Sequence, residues 1–93
     1  MELESEIKDF IVKGKNKFSI FWVDNFDESF GLVGVVDDEE GAQIVADVAT
    51  TNARWYNDFE DDGETLLLGT TYYVYNQKGE KIYTGQIKEN FLH

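Results

Sequence analysis

Carboxylates are the one chemistry-bearing side chain this sequence holds in quantity, and they are concentrated in a single stretch. Between residues 24 and 64 stand Asp24, Asp27, Glu28, Asp37, Asp38, Glu39, Glu40, Asp47, Asp58, Glu60, Asp61, Asp62 and Glu64, thirteen of the 19 acids. Arg54 is the one base among them, so the stretch carries a net −12. The flanks hold six acids and seven lysines, a net of +1, which brings the 93-residue chain to −11. A surplus so confined sets up a directional field that draws cationic surfaces and speeds encounter with them. Paired carboxylates can also perform acid–base work, but among so many acids a pairing arises by abundance and singles out no reaction.

Other catalytic or metal-binding arrangements lack material. The run Asp58 to Gly63 (DFEDDG) places Asp58, Glu60 and Asp62 at positions 1, 3 and 5 of a calcium loop, with Gly63 at the turn glycine. The acid that must close such a loop at position 12 falls on Gly69, so the match fails where it is most demanding. His93 is the single histidine and there is no cysteine, which removes zinc and redox-metal chemistry and any disulfide framework. Ser5, Ser19 and Ser29 have no base nearby in sequence for a nucleophilic triad. The eight glycines form neither a dinucleotide fingerprint nor a phosphate loop. The expectation is a non-enzymatic protein with no cofactor and no metal.

Two groups of aromatics invite a binding reading. Trp55 and Tyr56, with Phe59 beside them, lie among Arg54, Asp58 and Glu60, an arrangement suited to aromatic anchors rimmed by carboxylates. Core packing explains most of the same residues. Tyr72, Tyr73, Tyr75 and Tyr83 near Lys78 and Lys81 partly match a base-stacking sheet, yet a charge of −11 repels a phosphate backbone. Cross-strand aromatic packing is the simpler account.

These residues need a scaffold, and the composition supplies one. The chain is 42% hydrophobic and 15% aromatic, which is a folding composition despite the charge. Its length makes one domain that buries roughly 60–65% of its extended surface, enough for a single core of modest stability. The opening MELESEIKDF lacks the basic start and apolar run of a signal peptide, and no apolar stretch approaches a bilayer span. Cytoplasm is the expected compartment, and the host cytoplasm if a phage encodes the chain.

Proline is absent, so glycines and Asn/Asp clusters must punctuate the elements. Leu3, Ile7, Phe10 and Ile11 recur at helical spacing, predicting a helix from Glu2 to Val12 that Gly14 stops. Phe18 to Val23 is apolar on both faces and reads as a buried strand. A polar turn around Phe26, Asn25 to Ser29, leads to an antiparallel partner from Phe30 to Val36. Gly31 and Gly34 in that partner mark a bulge or a close backbone approach.

The central segment has two readings. As a long helix begun by Asp37 and Glu40, it lines Ile44, Val45, Val48, Trp55, Tyr56 and Phe59 along one face. As a hairpin, it makes Ala42 to Ala49 a strand and leaves a short helix over Asn52 to Phe59. The helix is preferred because six apolar positions share its face. Thr65 to Tyr75 and Glu80 to Ile87 then form a hairpin around Asn76–Gly79, whose glycine suits a left-handed turn position. The predicted fold is α+β: a single domain over residues 1–93, order α-ββ-α-ββ, with an antiparallel sheet of about four strands covered on one face by helices.

In this order the acids gather at two ends of the sheet, Asp27 and Asp61 at one and Asp37 to Glu40 at the other. The expected function is binding by charge to a basic partner protein, in its strongest form a nucleic-acid mimic whose carboxylates stand in for phosphates. Small acidic inhibitors carried by phages against host nucleases or restriction systems are similar in size and charge, which implies an anti-restriction or anti-CRISPR-like role. The alternative is a structural, oligomer-forming accessory protein, a homodimer for instance, whose acids only confer solubility. Neither reading involves direct contact with nucleic acid or a membrane.

Overall fold

Seven residues, Phe18–Asp24, alternate large side chains to both sides of an extended backbone and form β1, the strand on which the sheet is built. The computed structural model of the chain describes residues 7, 11, 17–53, 58–59 and 66–88, with the backbone alone at 58–59 and 66–68. β1 pairs antiparallel with β2, Phe30–Val36, and on its other side with β5, Thr70–Tyr75. β6, Lys81–Thr84, completes a four-stranded antiparallel sheet of order β2-β1-β5-β6. The helix α1, Glu39–Ala53, crosses this sheet, giving a small mixed α+β domain.

Both devices foreseen for the glycines of β2 are present. Gly34 lies opposite Ile20 and Leu32 opposite Phe21, so Val33 is the extra residue of a bulge. Gly31 permits a close approach, because a Cβ there would stand 2.5 Å from Nε1 of the Trp22 indole.

The central segment is a helix, but a shorter and differently rotated one than its periodicity suggests. It ends at Ala53, and Asp58–Phe59 forms β3, a strand paired with β4, Leu66–Leu68. Thr50 and Thr51 weaken the helical run. Thr50 Oγ1 donates back to the Ala46 carbonyl at 2.7 Å, and β-branched residues lose rotamer freedom in a helix. The start also moves by one residue: Asp38, not Asp37, is the cap, accepting the Gly41 N–H at 2.9 Å. The buried face runs through Ala42, Ala46, Asp47 and Thr51, while Ile44 is 48% exposed. Small residues let the helix approach the sheet closely. Gly85 lies so near it that a Cβ would meet the Ala46 carbonyl oxygen at 2.6 Å and Thr50 Oγ1 closer still.

The expectation of one covered face is also corrected. Ile20 and Val74 pack with Ala42 and Ala46 under α1, with Phe18, Tyr72 and Tyr83 at the margin. On the opposite face Phe21, Val23 and Tyr75 pack with Ile7 and Ile11, and the Phe21 and Tyr75 rings meet edge-on at 5.7 Å. β1 is apolar on both sides because both sides are covered. Ile7 is helical and Ile11 lies in a bend; the rest of the helix expected from Glu2 to Val12 lies outside the described residues.

The predicted run Thr65 to Tyr75 divides at Gly69, whose φ of 144° breaks the strand into β4 and β5, each with its own partner. The β5–β6 loop follows expectation. Gly79 takes φ 82°, and the Asn76 carboxamide oxygen accepts the Lys78 and Glu80 N–H groups at 2.9 and 3.0 Å.

Candidate partner-binding surface

Of the acids that the sequence places at opposite ends of the sheet, Asp27 stands at one end and Asp37 to Glu40 at the other, while Asp61 lies outside the described residues. β1 and β2 are joined by residues 25–29, and Asp24 accepts the Phe26 N–H through Oδ1 at 2.7 Å. Asp27 Oδ1 accepts the Ser29 N–H at 2.9 Å, and Glu28 adopts φ 58°. The Ser29 hydroxyl and backbone together hold the Asp27 carboxyl below the usual carboxylate range. Asn25 fastens this turn to the start of β5. Its N–H donates to the Gly69 carbonyl at 2.9 Å, and Gly69 N–H returns to Asn25 Oδ1 at 2.6 Å. Because Asp58 is in register with Leu68, the backbone of Asp58 is brought toward the same end.

At the other end Asp37, Asp38, Glu39 and Glu40 are all exposed around the α1 N-terminus. Their negative charge is favourable there, where the helix dipole is positive. The end is partly neutralised. Lys17 Nζ meets Asp37 Oδ1 at 2.6 Å, the ion pair found among the described residues. Lys17 and Lys78 also border an open cleft of about 230 Å³ with Phe18, Glu39, Asn76 and Ile82. The two ends are separated by the length of β1, seven residues, or about 22 Å at a rise of about 3.2 Å per residue.

One acid does not belong to this surface. Asp47 is 6% exposed and turned inward, which corrects the expectation of a hydrated carboxylate. Its Oδ1 accepts the Tyr83 hydroxyl at 2.8 Å and the Gln86 N–H at 2.8 Å, and its Oδ2 lies 3.0 Å from the same hydroxyl. One turn on, Thr51 Oγ1 accepts the Lys88 N–H at 2.8 Å. Asp47 and Thr51 therefore hold residues 86–88 along α1, and burial with the nearby carboxylate pushes the Tyr83 phenol up to about 12. Its position on the sheet-facing side of α1 decides this role.

Asp24, Asp27 and Glu28 are thus brought together at one end, and Asp37, Asp38, Glu39 and Glu40 at the other. Trp55, Tyr56, Glu60, Asp61, Asp62 and Glu64 lie outside the described residues, as does most of the run weighed for calcium. Its first two residues are the extended backbone of β3. Sequence reasoning passed over Phe26. It is 79% exposed, the most exposed large apolar side chain among the described residues. Its signal was its place inside a polar turn, where no neighbouring element could cover it. Comparison with protein-family models, curated proteins and solved structures finds no match to this chain. No helix among the described residues is long and apolar enough to cross a membrane.

Proposed function

We propose that this protein is a non-enzymatic inhibitor that binds a basic, nucleic-acid-binding surface of a partner protein, its carboxylates taking the place of phosphates. The observation that carries this reading is the placement of seven acids, six exposed and Asp24 half-buried, at the two ends of one sheet, with Asp37 the one of them in an ion pair among the described residues. A groove that binds nucleic acid is an array of lysines and arginines, and releasing its counterions rewards any correctly spaced polyanion. The separation of the two ends, about 22 Å, corresponds to about six phosphates of one strand at about 3.4 Å each. A phage-type anti-restriction or anti-CRISPR-like role in a host cytoplasm is the setting in which such an inhibitor acts.

The test is displacement of fluorescent DNA from two purified enzymes, a restriction endonuclease and an RNA-guided DNA endonuclease. Displacement from either, weakening steeply between 50 and 200 mM salt as for a phosphate-binding groove, supports the reading. Replacing Asp37 and Asp38 with Asn, and Glu39 and Glu40 with Gln, then weakens displacement and flattens its salt dependence. Asn keeps the helix cap, so the loss reports charge. No displacement from either enzyme overturns the proposal.

The edge strand β2 favours a second reading, an oligomer-forming accessory protein. Phe30–Val36 carries no charge, and Leu32 and Val33 are 48% and 42% exposed. Uncharged edge strands pair readily with another copy. A dimer mass by light scattering that reverts to monomer on Val33→Lys supports self-association; a monomer at all concentrations removes it.

A further inference from the structure

The turn between β1 and β2 presents an aromatic ring where the scaffold has no use for one. Phe26 is 79% exposed, and the hydrogen bonds that shape the turn come from Asp24, Asn25, Asp27 and Ser29. A polar residue would fill position 26 without loss of these bonds and would avoid exposing apolar surface to water. We infer that Phe26 is the anchor of the interface, inserted into an apolar pocket of the partner whose rim of lysine and arginine receives Asp24, Asp27 and Glu28.

This rests on the reading of the protein as an acidic binder and says where its specific contact lies. Long-range charge steers association, but affinity concentrates in a few buried aromatic anchors. The turn is already braced before binding. Asn25 and Gly69 exchange two hydrogen bonds across it, and the Asp24 carboxylate also lies 3.4 Å from the Asp27 N–H. A partner therefore orders little chain on contact, which lowers the entropy cost of docking. Charge complementarity decides the kind of pocket. An apolar slot edged by cations is what a protein builds for an unstacked base between two phosphates, where aromatic stacking and backbone charge are read together. A ring flanked by carboxylates offers the same sequence of chemistries.

The experiment uses the full chain and the two DNA enzymes named above, with duplex and single-stranded DNA as the displaced probes. Phe26→Ala is expected to lower affinity for the bound enzyme about 30-fold or more at unchanged salt slope. Phe26→Leu should recover part of the loss, and circular dichroism should be that of the parent. The pair Asp27→Asn and Glu28→Gln, which keeps an acceptor for Ser29, should instead reduce the salt slope. Phe26→Ala binding within twofold of the parent overturns the inference and leaves binding by charge standing. Failure of the parent to displace DNA from either enzyme removes the underlying reading and this one with it. A parental dimer that Phe26→Ala converts to monomer, by light scattering, also overturns it, because the pocket is then on a second copy.

Discussion

Asp47 is the residue whose surroundings turn a surface-type side chain into an internal fastener. Its carboxylate serves the Tyr83 hydroxyl and the Gln86 N–H, and among the described residues no cation pairs with it. Removing it leaves two donors short of an acceptor in a half-buried place. Asp47→Ala should therefore cost about 2–4 kcal/mol, and Tyr83→Phe about 1–2 kcal/mol, in urea denaturation. The Tyr83 phenol adds a pH signature. Its folded value near 12 exceeds the ordinary 10.0, so the unfolded chain loses this proton first. The contribution is complete below about pH 10 and is lost as pH rises toward 12. Urea midpoints measured across that window should fall in the parent, and less steeply in Tyr83→Phe. Asp27 acts at the acid end with the opposite sign: its lowered value stabilises above the carboxylate range and that contribution disappears as pH falls through it.

At the scale of elements, α1 and the segment 85–88 fit because neither carries bulk where they touch. Gly85→Ala would drive a methyl group into the Ala46 carbonyl and Thr50, so it should lower stability by about 1–3 kcal/mol. Amide exchange at Gln86 and Lys88 should rise with it. The same packing explains what periodicity could reveal and what it could not. Hairpins were legible because their turns are written locally, in Asn76, Gly79 and the polar residues around Phe26. The rotation of α1 was not, since its buried stripe is Ala42, Ala46 and Thr51, while the larger Ile44 is half in water. Size of side chain marks a helical face in sequence; closeness of approach selects it in the fold. The break between β4 and β5 was hidden for a related reason. Thr65 to Tyr75 has the composition of one strand, and only the backbone at Gly69 divides it. For the candidate surface, the two acidic ends followed from element order, but Asp47 was misassigned because charge patterning says nothing about which way one carboxylate faces.

Considered whole, the molecule holds like charges at both ends of a small sheet, and their repulsion opposes the compact state. Added sodium chloride from 20 to 300 mM at pH 7 should raise Tm by several degrees, through screening over a Debye length that shrinks below about 10 Å. Neutralising Asp37 to Glu40 should shrink that salt response, even as it weakens partner binding. A flat response would mean that the ends are too far apart, and too well hydrated, to strain the fold.

The strand order β2-β1-β5-β6 also dictates an assembly sequence. Two hairpins flank a midline at which β1 meets β5, and those partners are about 50 residues apart along the chain. Each half can zip up from its own turn, whereas the midline must await diffusion of one half onto the other. The slow kinetic step is then the docking of two preformed ribbons, with amide protection in pulse-labelling arriving late between β1 and β5 and early within each ribbon.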